Sequence, residues 1–339
     1  MQTVFLLKKH DNYKKEIKYM TNVYHKKEIP IVFAVDDNYA PFMCVTLRSI
    51  IDNASTDYYY KIFVLNTGLS EDNKKRIVSI AEELSDDLSV EYVDVADRMD
   101  KIKNKTALRD YYTNAIYYRI FIPSLFPQYD KILYLDSDLI FLDDVSELFN
   151  TDLKGDVFGA VHEEAMSEFD VFGVYAEEFL DVPRMEYFNS GILLINTKAY
   201  ISENIEQRFI DLMLAHKFEV APDQDYLNVI CKGKVTLLPV GWNKTPLPDK
   251  AFDDEQVKII HYKLNFKPWH YDDVRYQDAF WKYAKKTPFY KQLIKMRNAY
   301  TQEEKDRDSK AFRNLLKMAA TYTYGDNNYK RLTLRNAIM

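Results

Sequence analysis

Short apolar runs alternate with longer stretches of helical periodicity over most of the chain. The apolar runs have the length of buried strands, and the stretches between them repeat apolar residues every three or four positions. Because strands and helices alternate, we expect an α/β fold in which helices flank a mostly parallel sheet. Strands are predicted at residues 29–35, 58–65, 88–95, 131–135, 156–161, 192–195, 235–238 and 257–260.

The helical stretches lie between the predicted strands and after the last of them. Ser70, followed by two acidic residues, is a typical N-cap. The helix near residues 113–121 is expected to stop at Pro123, and residues 163–186 are expected to be irregular. Helices are predicted at residues 42–51, 70–84, 113–121 and 201–216, from 222 onward, and through most of the chain beyond 272.

The chain has 339 residues and no linker rich in Pro, Gly or Ser, which favours one main domain. We predict an N-terminal extension at residues 1–28, a main domain at 29–270 and a helical C-terminal region at 271–339. The only two cysteines form no disulfide framework, and no apolar run reaches the ~18 residues of a membrane span. We therefore expect a cytoplasmic protein.

Composition and charge restrict the kind of ligand. Only 8 residues are Gly, and no Gly-rich phosphate-binding motif occurs. The net charge of −6 combines basic ends (+4 for residues 1–28, +5 for 309–339) with a middle of −15. An acidic body argues against nucleic acid as a partner. A phosphate-bearing ligand would need a cation, and a metal ion is the obvious candidate.

Two aspartates, Asp136 and Asp138, follow the strand predicted at 131–135. Their carboxylates can converge on one Mg²⁺ or Mn²⁺, which are hard cations that prefer oxygen ligands. The alternative is that they only end the strand and shape a turn. Asp36 and His261 also follow predicted strands, and in open α/β sheets ligands bind beyond the carboxyl ends of the strands. These side chains are therefore expected to meet at one crevice.

Five short motifs follow one another along residues 29–270, namely Ala34-Val-Asp-Asp-Asn-Tyr39, Leu135-Asp-Ser-Asp138, Phe188-Asn-Ser-Gly191, Asp223-Gln-Asp225 and His261-Tyr-x₄-Lys267-Pro-Trp269. In order and spacing they resemble those of glycosyltransferase family 8, which contains bacterial lipopolysaccharide galactosyl- and glucosyltransferases and glycogenin. The resemblance implies a GT-A fold with a Rossmann-like mixed sheet, a UDP-hexose donor, Mn²⁺ or Mg²⁺, and retention of the anomeric configuration.

Carried over by position, the resemblance assigns roles to single residues. Uridine would be held by Asp36, Asn38 and Tyr39, with Ala34 and Ser137 also lining the donor site. The metal would be bound by Asp136, Asp138 and His261. The diphosphate would contact Lys267, and the hydroxyls of the donor sugar would contact Arg119, Asn189 and Asp223. Taken singly, such residues are more typical of turns, a structural His and an exposed Lys or Arg.

The resemblance also bears on mechanism. Gln224 lies where the family places an amide near the anomeric carbon, and an amide is a poor nucleophile. Double displacement would require a carboxylate on that face. We therefore expect front-face attack stabilised by Gln224, with Asp225 as the less suitable nucleophile. Asp136 and Asp138 would act through the metal. One departure is Leu264, where the family commonly has Gly beside the diphosphate, and a Cβ there alters the loop.

Three alternatives stay open at this point: glycogenin-like self-glucosylation, a silent sugar-nucleotide binding protein, and a metal-dependent phosphoesterase. The sequence does not distinguish UDP-glucose from UDP-galactose, nor does it identify the glycan or lipid-linked saccharide acceptor. Residues 163–186 and 243–256 are expected to shape the acceptor site and to be mobile.

The basic tail at residues 309–339 could lie on an anionic membrane or pack on the main domain. Apolar and basic side chains alternate along it, namely Lys310, Phe312, Arg313, Leu315, Leu316, Lys317, Met318, Lys330, Arg331 and Arg335.

Overall fold

The computed structural model describes residues 26–82, 86–102, 113–247, 252–326 and 328–338, with side chains up to residue 334. Most of the predicted N-terminal extension, residues 248–251 of one predicted acceptor segment, and the side chain of Arg335 lie outside the described part of the chain.

Within the described residues, nine strands form two sheets. The large sheet has seven strands in the order β3-β2-β1-β4-β7-β6-β8, and the small one pairs β5 with β9. Four neighbouring pairs of the large sheet are parallel, whereas β7 runs antiparallel to β4 and β6. The predicted mostly parallel mixed sheet is confirmed. The strands are β1 (Lys27–Ala34), β2 (Tyr58–Asn66), β3 (Leu88–Asp94), β4 (Lys131–Leu135), β5 (Leu139–Phe141), β6 (Phe158–Val161), β7 (Ile192–Asn196), β8 (Val235–Leu238) and β9 (Ile259–His261).

Helices cover both faces of the large sheet. Alternate residues of β1 show this, because Ile31 and Phe33 belong to one apolar cluster and Val32 belongs to the other. In the described part of the chain, 3-10 helices also occur at Asn114–Phe121, Val240–Asn243 and Asp254–Gln256. The α-helices are α1 (Ala40–Asn53), α2 (Glu71–Ala81), α3 (Ala96–Met99), α4 (Ile122–Leu125), α5 (Val145–Phe149), α6 (Ala165–Glu168), α7 (Asp170–Glu178), α8 (Thr197–Ser202), α9 (Ile205–Ala215), α10 (Pro222–Ile230), α11 (Gln277–Ala284), α12 (Tyr290–Ala299), α13 (Gln302–Tyr324) and α14 (Tyr329–Ile338).

Strand direction explains why the motifs meet. The parallel neighbours β1 and β4 end side by side, which brings the turns at Asp36 and Asp136 to the same edge. Because β7 is antiparallel to β4, its beginning, with Asn189 just before it, lies at that edge too. The antiparallel pair of β5 and β9 places His261 opposite Leu139, directly after the Asp136–Asp138 turn.

Several local expectations were wrong. Residues 163–186 are not irregular, because they contain α6 and α7 with Phe172 and Tyr175 buried. The helix near residue 121 does not stop at Pro123, which lies in the first turn of α4, where a missing N–H costs nothing. The helix expected at 201–216 is divided between α8 and α9. The three-residue strand β5 was not predicted.

The C-terminal helices pack on the rest of the molecule. Helix α13 begins with a capping box formed by Thr301 and Glu304. Its Leu315 is buried, and the ring of Phe312 lies 5.2 Å from that of Phe169, centroid to centroid. The apolar face of this tail is therefore used for packing, which is one of the two arrangements expected from the sequence. Among the described residues, no helix is both long and apolar enough to cross a membrane.

Candidate active site

The turn between β4 and β5 carries Asp136 and Asp138 and is pinned from behind by α1. The hydroxyl of Thr46 lies 2.8 Å from the carbonyl oxygens of both Ser137 and Leu139. It also accepts the Leu139 N–H at 3.2 Å. Thr46 is almost fully buried, so these bonds are shielded from water. The turn is therefore held by a side chain that the sequence did not single out.

Three ligand-type side chains converge at this turn. The Oδ1 of Asp138 lies 3.2 Å from His261 Nε2, and the Oδ2 of Asp136 lies 3.8 Å from the same nitrogen. One ligand atom from each of the three lies within 4.8 Å of the others. Two carboxylates and an imidazole are a donor set suited to a divalent cation such as Mn²⁺. The residues thus fit the metal that the sequence predicted.

Lys267 is also part of this cluster. Its Nζ donates to Asp138 Oδ2 at 2.5 Å and lies 5.3 Å from the centroid of the Trp269 ring. Burial alone would raise the pKa of Asp138, but Lys267 and His261 outweigh it and hold the pKa well below the usual range. Asp138 is therefore ionised at neutral pH. Lys267 is only 4% exposed, so it is not a solvated surface lysine.

Gly191 leaves the space that this cluster occupies. A Cβ at this position would collide with the imidazole of His261 and lie 2.7 Å from Asp136 Oδ2. The carbonyl of Gly191 also accepts the Asp136 N–H at 2.7 Å. A glycine is required here because a neighbouring strand must pass directly under the ligands.

A buried arginine forms the next wall of the cleft. Arg119 donates from Nη2 to Asp136 Oδ1 at 2.9 Å and from Nη1 to the Ser190 carbonyl at 2.5 Å. Its Nε lies 3.3 Å from Asp223 Oδ2. Burial raises the pKa of Asp223, although the guanidinium opposes that shift. Arg119 is not an exposed helix residue, because it is 5% exposed and contacts three of the predicted motifs.

Gln224 and Asn189 form the floor beside Asp223. The Gln224 Oε1 accepts the Ser190 N–H at 2.9 Å and an Asn189 Nδ2–H at 3.1 Å. Both side chains line the cleft. Since the oxygen of Gln224 already accepts two hydrogen bonds, this amide is a fixed dipole rather than a nucleophile.

Asp225 points away from the cleft. Its oxygens accept hydrogen bonds from Tyr187 Oη at 2.6 Å, Tyr175 Oη at 2.8 Å and the Ala221 N–H at 3.0 Å. The side chain has no exposed surface, and burial raises its pKa to about 6. A carboxylate held in this way on the side of α10 away from the cleft is poorly placed to attack a sugar, which agrees with the expectation that Asp225 is the less suitable nucleophile.

The opposite end of the cleft is the turn after β1. Asp36 Oδ1 accepts the N–H groups of Asn38 and Tyr39, both at 3.0 Å, which closes the turn. Ala34, Asp36 and Tyr39 line the main cleft, whereas Asn38 is exposed and lines an adjoining pocket. The Ser137 hydroxyl, buried in the cleft wall, has no hydrogen-bond partner among the residues that the structure describes. An orphan hydroxyl of this kind is a ready partner for a polar ligand.

One open cleft, of about 1110 Å³ including its solvent space, is therefore lined by the predicted metal and sugar residues and by all the predicted donor residues except Asn38, which lies beside it. Residues 30–273 match the family model of glycosyl transferase family 8, which is more than half of the chain. The chain belongs to glycosyltransferase family 8.

Relatives in this family agree with the fold. The chain is 28% identical to general stress protein A of Bacillus subtilis, covering 76% of this chain and 93% of that protein. It is 27% identical to a lipopolysaccharide 1,2-glucosyltransferase of Escherichia coli K12, covering 76% and 78%. The structure of the galactosyltransferase LgtC with donor and acceptor sugar analogues matches with a TM-score of 0.64 at 25% identity, covering 77% and 96%. The bifunctional glycosyltransferase WbbM matches with a TM-score of 0.71 at 28% identity, covering 80% and 52%. The fold is GT-A, and the chain is a hexosyltransferase.

Sequence reasoning assigned no individual role to Glu163 or Asn243 of this family 8 enzyme, although each begins a segment expected to shape the acceptor site. Glu163 lines the cleft, accepts an Asn189 Nδ2–H at 2.7 Å and forms a buried ion pair with Lys263. Asn243 hydrogen-bonds both Asn189 and His261, at 2.8 Å each. Glu163 lies in an acidic stretch and Asn243 in no motif, so neither differs in sequence from an ordinary surface residue.

Proposed function

We propose that the chain transfers glucose or galactose from a UDP-sugar to a glycan or lipid-linked saccharide in bacterial surface polysaccharide synthesis, with retention and a divalent metal. The observation that carries this proposal is the cluster of Asp136, Asp138 and His261 beside the buried Lys267. This cluster shares a cleft with the buried Arg119 and Asp223, which suit sugar hydroxyls. The proposal assigns uridine to Asp36, Asn38 and Tyr39.

The leaving group is the UDP diphosphate, and its negative charge grows as the sugar C1–O bond breaks. A divalent cation bound by the two aspartates and His261 would supply Lewis-acid stabilisation of that charge. Lys267 adds a fixed positive charge, and because it is buried it acts in a medium of low dielectric. The Ser137 hydroxyl is free to donate to the bound nucleotide.

Retention by front-face attack is the mechanism that best fits the residues. Gln224 is a fixed amide, and both oxygens of Asp225 accept hydrogen bonds behind α10. In front-face attack the acceptor oxygen bonds to C1 on the side that UDP leaves, and a phosphate oxygen takes the acceptor's proton. Arg119, Asn189 and Asp223 would orient the sugar, while Gln224 places its dipole next to the cationic C1.

Two coarser assignments accompany this mechanism. We propose that residues 29–270 hold the catalytic machinery and that the enzyme acts in the cytoplasm on acceptors carried at the membrane face. Self-glucosylation as in glycogenin is the second candidate, because the chain carries 27 Tyr.

A donor panel tests the proposal. Purified enzyme would be incubated with Mn²⁺ and UDP-glucose, UDP-galactose, a GDP-sugar or a CMP-sugar, and release of the nucleotide would be measured with and without saccharide acceptors. UDP release from a UDP-hexose and an α-linked product by NMR are expected. A β-linked product, full activity in EDTA, or preference for a GDP- or CMP-sugar would refute the proposal. Sugar covalently attached to the enzyme would favour self-glucosylation.

A further inference from the structure

A chain of buried side-chain hydrogen bonds leads from the sugar wall to the proposed metal ligands. It runs from Glu163 through Asn189 and Asn243 to His261, with successive distances of 2.7, 2.8 and 2.8 Å. All four residues are at most 5% exposed. Because every link is buried, each group must be matched by a partner of the opposite kind.

The direction of the first link is fixed by groups whose roles are unambiguous. The backbone N–H of Gly191 can only donate, and it lies 3.0 Å from Asn189 Oδ1. The pKa of Glu163 is held below its usual value by Lys263, against the effect of burial. The Glu163 carboxylate therefore only accepts, and it lies 2.7 Å from Asn189 Nδ2. Two independent partners thus give the Asn189 amide the same orientation.

The remaining links follow from that orientation. Since Asn189 Oδ1 is an acceptor, the neighbouring Asn243 must donate from Nδ2, at 2.8 Å. Its Oδ1 then faces Nδ1 of His261, at 2.8 Å, and an amide oxygen can only accept. The imidazole proton must therefore be on Nδ1. In the neutral form that binds a metal, the lone pair of the ring is consequently on Nε2, the nitrogen that faces Asp136 and Asp138.

We propose that Asn243 is a positioning residue that holds His261 in the Nδ1–H tautomer and so keeps Nε2 ready to bind a divalent cation. This inference rests on the proposed metal site. Outer partners of this kind orient a metal-binding imidazole and raise its affinity, and their loss typically costs about 10- to 100-fold in metal affinity. The link through Asn189 couples this orientation to the wall assigned to the sugar.

Direct Mn²⁺ binding, followed by electron paramagnetic resonance, tests the inference without relying on activity. Asn243→Leu removes the acceptor at similar size and should weaken Mn²⁺ binding by about 10- to 100-fold. Asn243→Asp keeps an acceptor for the Nδ1–H but sets a second acceptor against Asn189 Oδ1, so it should bind Mn²⁺ more tightly than Asn243→Leu while being less stable than wild type. An unchanged affinity in Asn243→Leu would overturn the inference.

Two control variants distinguish a wrong metal site from a purely structural role of Asn243. His261→Ala should abolish tight Mn²⁺ binding, and if it does not, the metal site itself is refuted. Asn328→Leu removes another fully buried amide, which bonds the carbonyls of Glu178 and Thr323. It should lower stability without changing Mn²⁺ affinity. An equal loss of affinity in Asn328→Leu and Asn243→Leu would reduce Asn243 to a general structural role.

A spectrum of the imidazole nitrogens gives the tautomer itself. In long-range ¹H–¹⁵N correlation spectra at pH 8.5, the His261 signals are assigned by their loss in His261→Gln. The neutral wild-type ring should carry its proton on Nδ1, and the Nε2–H form should appear in Asn243→Leu. A wild-type ring protonated only on Nε2 would overturn the inference.

Discussion

The two ends of the cleft are built differently. At the turn after β1, Asp36 bonds residues two and three positions away, and Asn38 is exposed. At the metal end, the contacting residues come from distant parts of the chain, and the pair of Lys263 and Glu163 spans 100 positions. Residues of the turn after β1 can therefore be substituted without disturbing the core, whereas the residues at the metal end are themselves part of the core. Substitutions at the metal end should affect both chemistry and stability.

The largest expected effect is at Asp138. Asp138→Ala should lower turnover by at least ~10²-fold, comparable to the loss of one key electrostatic group. The fold should stay intact, although the buried Lys267 loses the partner nearest its ammonium group, so some stability is lost beside the turnover. Asp138→Asn separates the two effects, because it keeps a hydrogen-bond acceptor for Lys267 but removes the anionic ligand. Steady-state turnover with Mn²⁺ and urea unfolding would be compared. Near-wild-type turnover in Asp138→Asn would contradict the role of the carboxylate.

The next effect is a steric one at Gly191. A Cβ there meets His261 and Asp136, so Gly191→Ala should cost about 1–3 kcal/mol of stability and weaken Mn²⁺ binding together. Gly68→Ala is the matched control, because its Cβ would meet nothing within 4 Å while its φ of +125° is strained. It should cost stability alone, by about 1 kcal/mol. Unfolding by urea and Mn²⁺ titration measure the two quantities, and unchanged Mn²⁺ binding in Gly191→Ala would count against this packing.

The buried carboxyl of Asp225 should make the free energy of unfolding depend on pH. Burial raises the pKa of its folded-state carboxyl to about 6, from 3.8. As pH rises from about 4 to 6, the unfolded chain loses this proton first, so the free energy of unfolding falls, by up to roughly 3 kcal/mol. Asp225→Asn cannot ionise and should lose less stability between pH 4.5 and 7 than wild type. Urea midpoints at the two pH values measure this, and equal losses would rule out Asp225 as the cause.

The sequence predicted the parts of the molecule that depend on local pattern. The strand at 131–135 and the Asp pair after it were visible because an apolar run ends abruptly in charge. The helices at 165–178 were missed because their acidic positions face solvent while Phe172 and Tyr175 pack inward against α13. Strand β5 was missed because three residues carry no period.

The residues of the candidate site also fall into those that a local sequence pattern reveals and those that it does not. The ligand motifs could be found in sequence, but the residues that hold them could not. Thr46 and Asn243 contact their partners across 91 and 18 positions, respectively, and nothing in their neighbours distinguishes them. Such contacts exist only once the sheet order is fixed. The burial that makes Asp225 unavailable is likewise a property of the packed α10.

A smaller effect is expected at the exposed end of the cleft. Asn38→Ala should raise the KM for the UDP-sugar by up to about tenfold, since one hydrogen bond to a ligand contributes roughly 0.5–1.5 kcal/mol. Turnover and the free energy of unfolding should stay nearly unchanged, because Asn38 is exposed. Donor saturation curves and urea unfolding measure these quantities. A stability loss as large as that of Gly191→Ala would remove the contrast between the two ends.

The smallest effect is expected at Leu264, which lines both pockets and has a φ of +54°. This is the left-handed region that glycine adopts freely, and a side chain there costs about 1–2 kcal/mol. Leu264→Gly relieves that strain but adds freedom to the unfolded chain and loses a half-buried side chain. These terms nearly cancel, so stability should change by less than about 1 kcal/mol. Leu264→Ala keeps the Cβ and the strain but loses the packing, so it should be less stable than Leu264→Gly. If urea unfolding shows Leu264→Ala to be the more stable of the two variants, the loop is not held in the left-handed conformation. If the donor KM changes in Leu264→Gly but not in Leu264→Ala, the Cβ crowds the diphosphate.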